Sequence, residues 1–414
     1  MRLELLDILR CPFCGGRLGL VEAGFVNRRG DEILDGILGC HCCAFPIVDG
    51  IPVIHLEASA VAAREHLDAG HADLARRALF GLDDAPPVHF EEIAASPSAT
   101  YRDIVEALGP GFEGGYFLYR FSDPTYLVSH AVVRAVAGTV LSDGGRAIDV
   151  CGGSGHLTRA LLDLSTPPPV LADLHFSKVW LGRRFTAPPC EGVCCDGNAP
   201  LPFARGAFRF AVCSDAYHYI WAKRLFASEI MRLADTGDTR SAIVIGHTHN
   251  AEQWNPSAGM PLPPDAYRDV FEDLAPRLFG ETSLLADIVG GGPLDLSRHE
   301  GEDALDRELA LTLVASRHPG VFSAHGLDAL ATASGEFRVN PLYAASSEGD
   351  QVRLTLRFPS HDYEQEYGAC RQYLPDQVVV SRDALGALPA RTLPPILADL
   401  AERHVIIDLP KNYY

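Results

Sequence analysis

Four cysteines near the start of the chain stand as two C-x2-C pairs, Cys11/Cys14 and Cys40/Cys43, with 25 residues between the pairs. Thiolates at this spacing can close tetrahedrally on one zinc ion, and Gly15 and Gly16 permit the tight turn that aims backbone amides at the sulfurs. Four cysteines fill every coordination position, so the expected role is structural, not catalytic. Cys42, inside the second pair, is expected to be a bystander. Buried free thiols or a redox pair would be the plainer reading, and two matched pairs argue against it.

A second place for chemistry is "AIDVCGGSGHLTRAL", residues 147–161. Small and apolar residues lead into Cys151, Gly152, Gly153, Ser154 and Gly155, and helix formers follow. A dinucleotide turn would read G-x-G-x-x-G, but counted from Gly153 the third glycine position holds Thr158. Counted from Cys151 the turn is C-x-G-x-G. Asp173 follows 24 residues after Asp149, where a carboxylate at a strand end can accept from ribose hydroxyls. Asp196 in "CCDGNAPLPF" and Ser214 in "FRFAVCSDAYHYI" end two further runs. In a doubly wound sheet all four places line the carboxyl edge of the strands.

These stations need a scaffold, and the sequence supplies one. Strands are expected in "RAIDV", "PVLAD", "GVCCD", "FRFAVCS", "SAIVIGH" and "LALTLVASR". Helices are expected in "YLVSHAVVRAVAGTVL", "SGHLTRALLDL", "FSKVWLGRRF" and "AKRLFASEIMRLA". This alternation predicts an α/β fold with a doubly wound, mostly parallel, Rossmann-like sheet. Around it we expect a zinc ribbon over 1–57, a helical linker over 58–100 and a core over 101–318. A Pro/Gly-rich insertion at 251–300, with one helix near "PDAYRDVFEDLAPRLF", interrupts the core. Residues 319–414 form a C-terminal α+β extension, in which Val352, Leu354, Leu356 and Phe358 alternate onto one side of a strand. That extension could cap the active site or make a homodimer contact.

"CAFPIVDGIPVI" resembles the ending of the small zinc-ribbon activator subunits of tRNA- and protein-modifying methyltransferases, over roughly residues 1–56. The resemblance implies a ribbon that binds a methyltransferase domain, here fused to its client. The ordered set "AIDVCGGSGH", "LADLHFSK", "CDGNAPLPFARGAF" and "FRFAVCSDAYHYI" resembles class I S-adenosylmethionine-dependent methyltransferases of the ubiquinone/menaquinone-methyltransferase-like group, over roughly 101–318. It implies S-adenosylmethionine as cofactor. Asp149, Cys151, Gly153 and Gly155 would lie under its methionine part, Asp173 and Leu174 at the ribose, and Asp196 and Gly197 at the adenine. The backbone of Ser214 would face the amino group. Two departures stand out. Cys151 replaces a glycine, which demands a backbone that a residue with a Cβ can hold. Arg209 replaces the aspartate that normally supports its turn.

Methyl transfer is an in-line displacement for which the protein supplies alignment and, for a weak nucleophile, a base. His218, with Asp215 just before it, and His247 and His249 in "IGHTHN" are the candidates for base or substrate contact. As a metal site the "HTHN" pair is weak, having no carboxylate nearby in sequence. Tyr116, Tyr119, Arg120 and Tyr126 could close over the cofactor or simply pack.

The net charge is −19, with three lysines, so the balance favours a small-molecule substrate over nucleic acid, whose binders carry a basic surplus. No apolar run has the length of a membrane span and no signal-peptide pattern opens the chain, which predicts a cytoplasmic protein. The leading expectation is methyl transfer to a small molecule, such as a specialised metabolite. The alternatives are an RNA methyltransferase with a zinc module, a cofactor-binding pseudoenzyme, and a transferase that moves another group from the same cofactor.

Overall fold

Short runs of small and β-branched apolar residues, buried on both faces, make the central sheet. The computed structural model describes residues 1–82, 88–109, 116–255, 259–330 and 335–414. Parts of the expected linker (83–87), the Pro/Gly-rich insertion (256–258) and the extension (331–334) lie outside the described residues. Two compact units divide the chain. The first comprises Met1–Pro87, Val132–Leu284 and Asp295–His325; the second comprises Val88–Ala131, Leu285–Leu294 and Gly326–Tyr414. Among the described residues no helix is long and apolar enough to cross a membrane.

The first unit opens with an antiparallel ribbon: β1 (Gly19–Leu20), β2 (Asn27–Arg29), β3 (Glu32–Gly39), β4 (Ala44–Val48) and β5 (Ile51–Pro52). Between β4 and β5, Asp49 and Gly50 take φ of 49° and 76°, the two positive values that a two-residue hairpin turn requires. That explains the "VDGI" of the sequence, and the turn also carries a contact. The Asp49 carboxylate accepts from Trp180 Nε1 at 2.9 Å, and its carbonyl accepts from Arg183 at 3.0 Å. Past the hairpin, Ile54 N donates to Cys194 O at 2.7 Å and Val53 bridges Cys194 in parallel. Helices α1 (Ala58–Asp68) and α2 (Ala72–Phe80) follow, and Phe80 packs edge-on against Phe176 and Trp180. Ribbon residues Leu5, Leu9, Phe45 and Ile47 share one hydrophobic cluster with sheet residues Ile148, Val170, Val193 and Ala211. The ribbon and the sheet therefore bury a common core.

The sheet strands are β6 (Ala147–Val150), β7 (Val170–Asp173), β8 (Glu191–Cys194), β9 (Phe210–Ser214), β10 (Ala242–His249), β11 (Arg277–Gly280) and β12 (Ala310–Ser316). Their spatial order is β11-β12-β10-β9-β6-β7-β8. Strands β6 to β10 pair in parallel, whereas β12 runs antiparallel between β10 and β11. The chain leaves β6 toward β7 and β8 on one side and reaches β9 and β10 on the other. The switch point thus lies between β6 and β9.

Three local differences from the sequence expectation have physical causes. The stretch after the glycine turn coils mainly through i to i+3 bonds, with a 3-10 turn at Thr158–Leu161, as Thr158 is drawn inward to Asp149. The helix expected across "PDAYRDVFEDLAPRLF" stops at Val270; Ala275 turns left-handed before Pro276, and the apolar remainder becomes β11. Arg209 supports its turn after all, donating to the Asp143 carboxylate and to Gly144 O.

In the second unit β13 (Glu336–Val339) pairs with β17 (Ile406–Leu409), and β14 (Tyr343–Glu348), β15 (Gln351–Leu356) and β16 (Gln377–Ser381) form an antiparallel sheet. Leu354 is buried in its core, with Val352, Leu356 and Phe358 packed around, as the alternation predicts. Tyr116 and Tyr119 pack against the same core, 6.2 Å from Tyr367 and 5.8 Å from Tyr363. Of the two roles open to these tyrosines, the structure shows packing.

Candidate active site at the strand ends

The glycine turn leaves β6 at Cys151, whose φ is 58°, a left-handed conformation unusual for a residue with a Cβ. Gly153 and Gly155 follow with φ of 54° and 77°. Gly152 is needed for space: a Cβ there would lie 2.6 Å from Asp149 Cγ and 2.7 Å from Leu171 Cδ1. Asp149 lies beneath the turn, buried, and accepts from Thr158 Oγ1 at 2.7 Å. The residue that occupies the third glycine position of a dinucleotide fingerprint thus holds the turn's carboxylate.

The end of β7 is tied to this turn. Asp173 Oδ2 accepts from Gly153 N at 3.0 Å, and Oδ1 accepts from His175 N at 2.9 Å. Each oxygen keeps a lone pair for a further donor. The end of β8 meets the same turn, since a Cβ on Gly197 would stand 3.1 Å from Cys151 Sγ and 2.9 Å from Ile220 Cδ1. Asp196 Oδ1 accepts from Asn198 N at 2.8 Å, and Asn198 Oδ1 accepts from Trp221 N at 2.9 Å and Ala222 N at 3.2 Å. Asn198 thereby joins the loop after β8 to the loop after β9. Asp149, Cys151, Gly153, Gly155, Asp173, Leu174, Asp196, Gly197 and Ser214 all lie on the strand ends or loops of one edge.

Burial pushes the Asp149 carboxyl up to about 7, more than the Thr158 bond pulls it down. The folded value lies above the unfolded one, so the native state alone holds this proton between about pH 4 and 7. The group's contribution is present below that window and lost as pH rises through it. Asp149→Asn is expected to remove a loss of stability on the order of a few kcal/mol between about pH 4 and 7 in ligand-free protein, and so to flatten the fall of the melting temperature there. Calorimetry across that range checks it, and an unaltered slope contradicts it.

Beside the turn stand the imidazoles. His218 is fully buried, and its ring stacks on His249 at 3.7 Å and 14°. Burial, then the neighbouring His249, lowers His218 to about 3; burial, then His247, lowers His249 to about 4. Both rings are neutral at neutral pH. His247 sits in a bulge of β10 with φ of 44°, where its amide donates to Glu281 Oε1 at 3.0 Å and its Nδ1 lies 2.7 Å from Glu281 Oε2. Asp215, directly after β9, is also left-handed, at φ 55°.

The cysteine cluster is on the ribbon of the same unit. Sulfur separations are 3.6 Å for Cys11–Cys42, 3.7 Å for Cys14–Cys40 and 3.5 Å for Cys40–Cys42. Tetrahedral zinc with Zn–S bonds of about 2.3 Å needs sulfurs about 3.8 Å apart. The grouped set is Cys11, Cys14, Cys40 and Cys42. Cys43 lies outside it, with its sulfur 3.5 Å from that of Cys42. Burial would raise the Cys40 thiol, but the amides of Cys42 and Cys43 outweigh it and bring it down to about 7.

Sequence reasoning missed several members of the site. Gly152 had a visible signal in the glycine run. Asn198, in the quoted "DGN", had only a weak one. Glu281 and His55 had none, because they arrive from distant segments. His55, at the end of the ribbon, is buried beside the backbone of Leu174 and accepts from Glu57 N at 3.4 Å.

No model of a known family matches the chain. Solved structures similar to it include geranyl diphosphate C-methyltransferase from Streptomyces coelicolor, at 16% identity over 42% of this chain and 71% of that one, with a TM-score of 0.31. A SAM-dependent methyltransferase from Thermotoga maritima is 11% identical over 49% and 92%, with a TM-score of 0.33. A complex containing the Haloferax volcanii Trm112 methyltransferase activator gives 18% identity over 46% and 90%, with a TM-score of 0.32. Likenesses this weak say nothing about the activity of this chain. Among curated proteins, a UPF0434 protein from Bordetella avium is 42% identical over 74 residues, which are 17% of this chain and 98% of that protein. Over that stretch, the chain belongs to the UPF0434 family.

Proposed function

We propose that the chain is an S-adenosylmethionine-dependent methyltransferase for a small molecule, with a zinc ribbon built in as its own activator. One observation carries the reading: Asp173 and Gly197 both meet the glycine turn that leaves β6 beside the switch point of the sheet. A nucleoside-bearing ligand binds at such a point. Two features favour an adenosyl sulfonium over a dinucleotide. The turn lacks the third glycine, and the sheet carries an antiparallel strand where the dinucleotide-binding order is all parallel.

S-adenosylmethionine would supply an electrophilic methyl group. The chain's own residues do the rest. Asp173 takes the ribose hydroxyls on its remaining lone pairs, Asp196 and Gly197 frame the adenine, Gly153 and Gly155 leave the floor clear of side chains, and the small Cys151 side chain lies against Gly197. His218 and His249 are neutral rings that can contact the acceptor, Asp215 suits its orientation, and His247 is held by Glu281. Tyr219, Trp221 and Met260 stay exposed next to His218. Such exposed apolar side chains suit an apolar or aromatic acceptor.

The test is calorimetry of the full chain with S-adenosylhomocysteine and, separately, with NAD. Saturable binding of the former and none of the latter is expected. Binding of NAD alone, or of neither, overturns the reading.

A further inference from the structure

Among the described residues, Asp215, His218 and His249 form a second group able to hold a metal, apart from the cysteines, with one donor atom from each within 4.8 Å of the others. Asp215 and His218 lie well before His249 in the sequence, which is why the "HTHN" pair alone reads as weak. The fold supplies the missing carboxylate: Asp215 and His218 follow β9, His249 ends β10, and these strands are parallel neighbours.

Two further observations point to a ligand. His218 is 0% exposed, and among the described residues neither of its ring nitrogens has a hydrogen-bond partner. An orphaned buried polar group costs about 1–3 kcal/mol, so a fold that keeps one has a use for it. The surrounding backbone is also held off its ordinary conformations. Asp215 and His247 are left-handed without being glycine, and the β10 bulge at His247 is fixed by Glu281 through both amide and ring. Strain of this kind gathers where side chains must be aimed. Here it surrounds the place where one donor atom each of Asp215, His218 and His249 come within 4.8 Å of one another.

We propose that Asp215, His218 and His249 bind one first-row divalent transition metal in a two-histidine, one-carboxylate site with open positions. Imidazole nitrogens suit iron, cobalt, nickel or zinc, whereas magnesium and calcium favour all-oxygen shells. His247 is not a ligand; its bond to Glu281 positions the strand that carries His249. With positions left open, such an ion could take an acceptor oxygen and make it more acidic. The site goes beyond the proposed activity and stands or falls without it.

The experiment is anaerobic titration of the full chain with Co(II) alone, after the cysteine site has been filled with zinc. The readouts are visible absorption and metal-to-protein ratio. One further equivalent is expected, with the weak bands of nitrogen and oxygen coordination and without the intense absorption of thiolate ligands. His249→Ala and Asp215→Asn should each weaken uptake by about 100-fold or more, with thermal melts showing that each variant is folded. If the wild-type chain takes up no such equivalent, water alone satisfies His218 and the proposal fails. It fails equally if Co(II) binds but both variants keep wild-type affinity. Calorimetry with S-adenosylhomocysteine is independent of either outcome, so failure of this site is distinguishable from failure of the methyltransferase reading.

Discussion

Replacing Asp173 with alanine is expected to lower affinity for S-adenosylhomocysteine by about 100-fold or more, the worth of two charge-assisted hydrogen bonds. The carboxylate has two duties. It already accepts from Gly153 N and His175 N, which fixes the glycine turn against the end of β7. Its remaining lone pairs are the acceptors proposed for the ribose. Alanine removes both functions, while the strand keeps its parallel pairing through backbone bonds. Asp173→Asn separates them. Its amide oxygen can keep one backbone donor, so the turn survives in part, but one ribose acceptor is lost and the expected deficit is about 10-fold. Calorimetry measures both variants, and a melting temperature near that of the wild type shows that the fold is intact. Unchanged affinity in Asp173→Ala would remove this residue from the site.

What the sequence shows and what it hides follow from the range of each interaction. The strands of the sheet are legible because residues buried on both faces read as short apolar runs, and "AIDV", "VLAD" and "FAVCS" are nothing else. The glycine turn is legible because positive φ writes itself as glycine. Cys151 breaks that rule, and its left-handed backbone shows where the fold tolerates strain. The tip of the ribbon is legible as "VDGI", yet nothing local says that Asp49 accepts from Trp180, 131 residues later. The same limit hid Glu281 behind His247 and Asp215 beside His249. Strand β11 was lost for another reason: "RLFG" follows a helical period, and only Pro276 marks the break. Among the cysteines, spacing favours Cys43 as partner of Cys40, whereas the path of the chain brings the Cys42 sulfur to Cys11.

That last difference leads to the largest stability effect. Cys11→Ser is expected to release the zinc and lower the melting temperature of the full chain by about 10 °C or more, because the binding free energy of a structural zinc is folding free energy. A ribbon standing apart would melt alone and leave the crevice untouched. This ribbon does not stand apart. Leu5, Leu9 and Phe45 lie in the same core as Ile148 and Val193, Ile54 bonds Cys194, and His55 is buried beside the backbone next to Asp173. Loss of metal should therefore loosen β8 and reduce affinity for S-adenosylhomocysteine as well, by about 10-fold if one hydrogen-bonded contact at the ribose end is lost. Cys42→Ser should reproduce both effects. Cys43→Ser should retain one zinc per chain and the wild-type melting temperature, since its sulfur stands outside the group of four. Metal analysis and thermal melts of the three variants decide the matter. Zinc retained in Cys42→Ser but lost in Cys43→Ser would restore the C-x2-C assignment, and unaltered cofactor affinity in metal-free Cys11→Ser would show that the ribbon and the crevice are energetically separate.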